Sequence, residues 1–350
     1  GLKQDMEFKT EILENNNVMI DDQFIGKING LKLELDLKKG ALETDIKSLK
    51  KAARQSIGPE LEKRIQIIVD TGLVELNDDF KIYWNNFPIA KLSVGNDYLN
   101  PKFELVVDET IEQNQKQKLT DFINKWLHNK INTVLKSLID LKNLKEKNSS
   151  IKALAYQLYE NNGVLKREQV SSYLKSLGQN ERKILRELGV KFGRYHVFLY
   201  QLIKPEAVSL RTLLWKNFHQ KYYNLKPPTF GLNFLDDKDS KNKDFMLLCG
   251  FEKFDSLFVR IDILERLFMQ IINSDSKENK QIKMIPEMLN LLGCSKDNFK
   301  KLLKKMGYKI FDKENETFFK YSPMKNFKED SIKKISSENP FKILKNLNLG

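Results

Sequence analysis

The sequence has very few of the residues that form disulfide frameworks and zinc sites. Its two cysteines, Cys249 and Cys294, and its three histidines, His128, His196 and His219, are far apart in the chain. They match no C-x-x-C or H-x-x-x-H spacing, so neither a disulfide framework nor a zinc site is supported. We therefore predict no metal-binding residues in this chain.

The sequence also lacks a phosphate-binding loop, since no segment has the form G-x-x-x-x-G-K-[ST]. The segment FELVVDET, Phe103 to Thr110, imitates the apolar strand ending in Asp-Glu that holds magnesium in nucleotide hydrolases. Such an acid pair works only opposite a phosphate-binding loop. We predict instead a strand that ends at a solvated helix N-terminus, where Asp108 and Glu109 favour the helix dipole. No catalytic residue is predicted in this chain.

Long apolar runs are absent as well. No run approaches the roughly 20 residues that a membrane-spanning helix requires, and the opening residues, GLKQDMEFKT, form no apolar secretion segment. The sequence therefore predicts a cytoplasmic protein with no membrane partner. It opens with Gly1 rather than Met, which suggests a piece of a longer protein with further functions upstream.

Arginine is scarce in a chain that is nonetheless strongly basic. Nine of the 60 basic residues are arginines, and the formal net charge is +13. This charge favours a polyanionic partner, because the neutralisation of phosphates releases bound counterions. Lys, Asn and Ile are also the residues that an AT-rich genome favours, so a Lys-rich solvated surface is the alternative interpretation.

Length and hydrophobic patterning predict a mainly α, multi-domain chain. At 350 residues and 41% hydrophobic content, the chain exceeds what one core usually serves. Periodicity and composition predict five consecutive parts. These parts are an α+β unit with short strands (1–108), a helical domain (109–228), a linker (229–243), a winged-helix-like domain (244–321) and a basic, disordered tail (322–350).

A Lys-rich helix is predicted inside the α+β unit. Its pattern runs from Ala41 to Val69 and is interrupted by Gly58-Pro59. Because proline suits the first turn of a helix, the sequence predicts two helices that meet at this point.

Residues 244–321 contain the order of elements of a winged helix. Three amphipathic helices are predicted from VRIDILERLFMQII, PEMLNLLG and KDNFKKLLKKM, and a hairpin is predicted from YKIFDKENETFFKY. The third helix of such a fold enters a groove or follows phosphates. It carries the candidate nucleic-acid-binding residues Lys300, Lys301, Lys304 and Lys305. Packing against another protein is the alternative role.

The segment LGVKFGRYHVFLYQLIKPEAVSLRTLLW, Leu188 to Trp215, mixes aromatic and cationic residues with apolar ones. We predict that its cations contact phosphates and that its aromatic rings stack on unpaired bases. The candidates are Lys191, Arg194, Lys204 and Arg211 for phosphates, Tyr195 and His196 for bases, and Trp215 for a base or the core. The last helix of the segment would place Arg211, Trp215, His219 and Tyr222 in one stripe. Docking onto a neighbouring domain, or burial in a core, are the alternatives.

This segment resembles a signature found late in bacterial superfamily 2 helicases, the alphaproteobacterial relatives of the mitochondrial degradosome RNA helicase. The resemblance rests on Gly189 to Leu199, Leu202 to Pro205, and Leu210 to Trp215. It extends upstream to FPIAKLSVGNDYLNPKFELVVDE and downstream to VRIDILERL and PEMLNLLGCSKDNFKKLLKKMGY. Tyr200 stands where the family usually has Pro, and the Arg-rich surface of the family is Lys-rich here. The two ATPase domains that define a helicase are absent from this chain.

The resemblance implies a C-terminal accessory, nucleic-acid-binding region of an ATP-dependent helicase that acts on RNA or DNA, with RNA favoured. It implies no cofactor in this chain, with ATP and Mg²⁺ bound in the parent helicase core. The implied partners are a nucleic acid, the upstream ATPase domains and a ribonuclease. The alternative is a protein-interaction scaffold that docks a helicase motor or a ribonuclease.

Overall fold

The computed structural model describes residues 9–36, 43–145, 147–238, 241–274 and 280–322. The chain divides into two units, one of residues 1–230 with 244–250 and the other of residues 231–243 with 251–350. Helices and short strands alternate in both units, and the strands of the described ranges form five small antiparallel sheets. The fold is therefore mixed α/β, and the prediction of a mainly α chain is wrong. The predicted tail lies outside the described residues apart from Ser322.

The first unit opens with two four-stranded antiparallel sheets that are separated in the sequence by one long helix. In both sheets each strand pairs with the next along the chain. The elements are β1 (Thr10–Ile12), β2 (Asn17–Ile20), β3 (Gln23–Asn29), β4 (Lys32–Leu35), α1 (Glu43–Thr71), β5 (Glu75–Leu76), β6 (Lys81–Trp84), β7 (Phe87–Ser93) and β8 (Lys102–Leu105).

Helix α1 continues through Pro59 without a break, so the prediction of two helices meeting at Gly58-Pro59 is wrong. Proline cannot donate the helical hydrogen bond to the carbonyl of Gln55. The apolar residues on either side of it, Ile57 and Leu61, are fully buried in the core that α1 shares with the strands. Packing of this face holds the helix together, because tertiary burial contributes more to helix stability than intrinsic propensity does.

Asp108 also differs from its predicted role, because it is only 2% exposed. Its carboxylate accepts hydrogen bonds from the backbone N–H of Leu33 (3.2 Å), the backbone N–H of Thr110 (3.2 Å) and the hydroxyl of Thr110 (2.9 Å). The next helix begins only at Gln113. The carboxylate therefore fixes the strand end against β4 and does not lie at a solvated helix terminus.

The rest of the first unit combines helices with a three-stranded sheet. The prediction of a helical domain over 109–228 missed three short strands, which pair into one antiparallel sheet with the His196–Leu199 strand in the middle. The elements are α2 (Gln113–Val134), α3 (Lys136–Lys142), α4 (Ser149–Glu160), β9 (Val164–Lys166), a 3₁₀ turn (Arg167–Val170), α5 (Ser171–Ser176), α6 (Gln179–Glu187), β10 (Val190–Phe192), β11 (His196–Leu199), a second 3₁₀ turn (Tyr200–Ile203), α7 (Pro205–Phe218) and a third 3₁₀ turn (Gln220–Tyr222).

The second unit contains two three-stranded antiparallel sheets and three helices. Helix α8 (Lys243–Leu248) precedes β13, and most of it belongs to the first unit. The elements of the second unit are β12 (Phe234–Asp236), β13 (Phe251–Phe254), β14 (Leu257–Arg260), α9 (Ile261–Asn273), β15 (Ile282–Lys283), α10 (Pro286–Leu292), α11 (Lys296–Lys305), β16 (Tyr308–Lys313) and β17 (Glu316–Tyr321).

The second unit corrects the winged-helix prediction, because a winged helix is not what the structure shows. The unit starts with a sheet of order β12-β14-β13, and β12 comes from the predicted linker over 229–243. Two local features of the unit follow from residues that are close in sequence. Ser295 accepts a hydrogen bond from the backbone N–H of Asn298 at the start of α11 (3.2 Å), and Glu314 and Asn315 adopt positive φ in the turn between β16 and β17.

Candidate nucleic-acid interface

The centre of the conspicuous segment is a β-hairpin. Helix α6 ends before Gly189, whose φ of +94° is favourable for glycine, and whose N–H donates to the carbonyl of Arg186 (2.9 Å). The chain then reverses direction and runs through β10, a turn of Gly193, Arg194 and Tyr195, and β11. The local sequence thus brings the end of α6 next to the hairpin.

One side of the hairpin is part of a hydrophobic core. Val190 pairs with Leu199, and Val197 pairs with Leu165 of β9, and all four residues are buried in the same apolar cluster. Lys191 pairs with Phe198 and is exposed. The strands therefore anchor the hairpin in the core, and cationic side chains of the hairpin reach solvent.

Arg167 fixes the turn of the hairpin through two contacts. Its backbone N–H donates to the carbonyl of Tyr195 (2.8 Å), and its guanidinium donates to the carbonyl of Gly193 (2.7 Å). The N–H of Gly193 also donates to the carbonyl of His196 (2.8 Å). The turn that carries exposed Arg194 and half-buried Tyr195 is therefore held in one geometry.

Two further arginines lie against Phe192 of the same hairpin. The guanidinium carbons of Arg182 and Arg186 are each 5.6 Å from the centre of its ring, within the range of a cation–π interaction. Arg182 also donates to the carbonyl of Leu174 (2.8 Å), whereas Arg186 is exposed. We call the four arginines around this hairpin the arginine cluster: Arg167, Arg182, Arg186 and Arg194.

Sequence reasoning missed three members of the arginine cluster. Arg167 follows β9, and Arg182 and Arg186 are one turn apart on α6, so these elements meet the hairpin only through the fold. A usable signal was present, because four of the nine arginines of the chain fall within residues 167–194. Arginine is the better phosphate ligand of the two cations, since its planar fork binds two oxygens at once.

Three of the predicted contact residues of this segment are buried, namely His196, Arg211 and Trp215. His196 is 1% exposed and lies between the strands that flank it. Arg211 is 0% exposed and donates to the backbone carbonyls of Asn162 and Leu248, the latter at 2.7 Å. Burial lowers the pKa of its guanidinium. The surroundings of Arg211 thus assign it to the interior of the first unit and leave no surface for a phosphate.

Trp215 belongs to an aromatic cluster inside the protein. Its ring stacks on Tyr222 with centroids 5.1 Å apart, and it contacts His219 (4.6 Å) and Phe245 (5.9 Å). Burial lowers the pKa of His219. The prediction of one helical stripe is therefore wrong, because α7 ends at Phe218 and Tyr222 lies in a 3₁₀ turn. The three rings pack on one another, and of the two proposed roles for Trp215 the structure shows the core.

Lys204 is exposed at the start of α7, and its ammonium lies 5.8 Å from the centre of the Tyr200 ring. Tyr200 is 44% exposed. An exposed aromatic residue thus lies beside a cation at the start of α7.

The lysines of α11 are on the surface of the second unit, and two of them face carboxylates. Lys301 and Lys304 are exposed. Lys300 lies 3.5 Å from Asp312, and Lys305 lies 3.8 Å from Asp255. A hydrogen bond from the Thr317 hydroxyl, followed by the charge of Lys300, holds the pKa of Asp312 below its usual value. The α11 surface is therefore less cationic than its sequence suggests.

Neither a metal site nor a membrane-spanning helix is found in the parts of the chain that the structure describes. No group of three or more His, Cys, Asp or Glu side chains there is arranged to hold a metal ion. None of the helices of this part is both long and apolar enough to cross a membrane.

Comparison of the chain with protein families, with curated proteins and with solved structures found no match.

Proposed function

We propose that this chain is the C-terminal accessory, nucleic-acid-binding region of an ATP-dependent RNA helicase. The arginine cluster around the β10–β11 hairpin is the observation that carries the proposal. In a chain whose cations are mostly lysines, it concentrates the side chains best suited to phosphates on a hairpin with a fixed turn. The resemblance of the same segment to the helicase signature supports RNA as the partner.

The roles in this proposal follow from exposure and geometry. Arg186, Arg194 and Lys191 contact phosphates, because they are the exposed cations of the hairpin and of the end of α6. Tyr195 stacks on a base beside them. Arg167 and Arg182 position this surface through their bonds to the carbonyls of Gly193 and Leu174.

The motor and its chemistry lie outside this chain in the proposal. ATP and Mg²⁺ are bound by upstream ATPase domains, the protein works in the cytoplasm, and the exposed lysines of α11 add further phosphate contacts. A ribonuclease is a further partner of the assembled helicase. The chain itself grips or guides the strand.

Binding of a labelled single-stranded RNA by the chain tests this proposal. The double variant Arg186→Gln/Arg194→Gln is expected to bind at least roughly tenfold more weakly, because a hydrogen bond to a charged group contributes about 1.5 kcal/mol or more. The matched control is Lys63→Gln/Lys145→Gln, which removes the same charge from two exposed positions outside the hairpin. If the hairpin variant binds RNA as the control does and stays folded, the segment is a docking surface for other domains.

A further inference from the structure

A second basic site lies in the first unit and shares no residue with the hairpin. It is a cleft of about 410 Å³ beside helix α1. We call it the α1 cleft, and it is lined by Lys47, Lys50, Lys51, Arg54, Gln55 and Thr110. The four cations follow one another at steps of three, one and three residues, so they occupy one side of the helix.

The positive charge of the α1 cleft is only partly balanced. None of the ion pairs formed within the described ranges involves Lys47, Lys50 or Lys51. Among the side chains that the structure describes, Asp108 and Glu109 both face Arg54, at 3.8 Å and 3.6 Å. Like charges one helical turn apart destabilise a helix. The three lysines therefore repel one another weakly, and an anion in the cleft lowers this repulsion.

The guanidinium of Arg54 has one donor without an acceptor in the described part of the chain. Its Nε is buried and has no hydrogen-bond partner among the residues that the structure describes. The nearest carboxylate oxygen, on Asp108, is 3.8 Å away, which is too long for a hydrogen bond. Asp108 is instead committed to Leu33 and Thr110. A buried donor without an acceptor is unfavourable, and the cleft that Arg54 lines has room for an oxyanion.

We propose that the α1 cleft binds consecutive phosphate groups of a nucleic-acid strand. The row from Lys47 to Arg54 extends about 10 Å along the helix axis. A stacked strand places one phosphate about every 3.4 Å along its own axis. The row therefore spans more than one phosphate, and a strand satisfies its cations better than a single phosphate ion does. The inference rests on the proposed function in one respect, which is that the phosphates belong to a nucleic-acid strand.

Lysine acetylation of the whole chain, read by mass spectrometry, tests the cleft directly. A single-stranded RNA of about 20 nucleotides is expected to lower the labelling of Lys47, Lys50 and Lys51. Lys63, an exposed lysine of the same helix outside the cleft, is expected to label as before. A parallel sample with inorganic pyrophosphate distinguishes binding of a small phosphate compound from binding of a nucleic-acid strand. Protection by pyrophosphate without protection by RNA, or no protection by either, overturns the proposal.

A charge-matched pair of variants separates the cleft from the net charge of the chain. Lys47→Gln/Lys51→Gln is expected to lower the slope of log affinity against log salt by about 1.4, or 0.7 for each lost phosphate contact. Lys63→Gln/Lys145→Gln removes the same charge and is expected to leave the slope unchanged. Equal slopes in the two variants overturn the proposal. If the cleft variant shows the effect and the hairpin variant does not, the proposed role of the hairpin fails and the cleft remains.

Discussion

Arginine side chains lie in opposite environments in this protein, some in the core and some on the surface. Arg211 and Arg186 both belong to segments in which cations mix with apolar residues, yet Arg211 is fully buried and Arg186 is exposed. Buried Arg211 is stabilised because its guanidinium donates hydrogen bonds to the backbone carbonyls of Asn162 and Leu248. Helical spacing placed Arg211 in a stripe with Trp215, but spacing alone does not tell a stripe that lines a groove from one that faces a core.

Replacing Arg211 with Ala is expected to destabilise the first unit by about 3 kcal/mol or more. The change leaves two buried carbonyls without donors and creates a cavity. Arg186→Ala is the matched comparison, and its effect is expected to be about 1 kcal/mol or less, since the residue is on the surface and loses only its contact with Phe192. Chemical denaturation of both variants measures the difference. Equal stability of the two variants would contradict the structural role of Arg211.

The two cysteines are expected to be unreactive in the folded chain. Burial raises the pKa of the Cys249 thiol to about 12 and that of the Cys294 thiol to about 11. The reactive thiolate is therefore scarce at about pH 8. A thiol reagent is expected to modify neither residue under native conditions and both in denaturant, as measured by intact mass. Rapid modification of Cys249 in the native protein would show that its surroundings are open to solvent.

Among the helices and strands, the sequence predicts caps and helix ends better than it predicts whether a segment is a helix or a strand. The cap at Ser295 and the end of α6 at Gly189 depend on residues close in sequence, and both were predictable. The strands β9, β10 and β11 were missed, because each has only three or four residues. Such strands gain stability from pairing with partners distant in the chain, and the apolar run VFLYQLI does not by itself distinguish a buried strand from a helix.

Pro59 provides a test of the unbroken helix α1. Pro59→Ala is expected to raise the stability of the first unit by about 1–3 kcal/mol, because a proline inside a helix costs about 3 kcal/mol relative to alanine. The proline is exposed, so little packing is lost. Thermal or chemical unfolding measures the change, with Gln55→Ala as an exposed control in the same helix. Loss of stability in Pro59→Ala would indicate a helix boundary at this position.

For the molecule as a whole, the net charge of +13 does not by itself give a binding position for the polyanionic partner that we propose. The structure shows where cationic side chains come together, at the arginine cluster and at the α1 cleft. The arginine cluster forms because the pairing of β9 with β11 brings Arg167 to the turn that contains Arg194, and sequence patterns do not report such pairing. The α1 cleft was missed for a different reason: its lysines lie in a Lys-rich helix, where a solvated surface is the ordinary expectation.

The most direct test of the RNA contact is a titration of labelled single-stranded RNA at several salt concentrations with wild type, Arg194→Gln and Tyr195→Ala. Arg194→Gln is expected to lower the slope of log affinity against log salt by about 0.7, the value for one phosphate contact on a single strand. Tyr195→Ala is expected to cost about 1–3 kcal/mol of binding with the slope unchanged, because a base stack carries no counterion release. Wild-type slope and affinity in both folded variants would contradict the assignment of the β10–β11 hairpin to RNA binding.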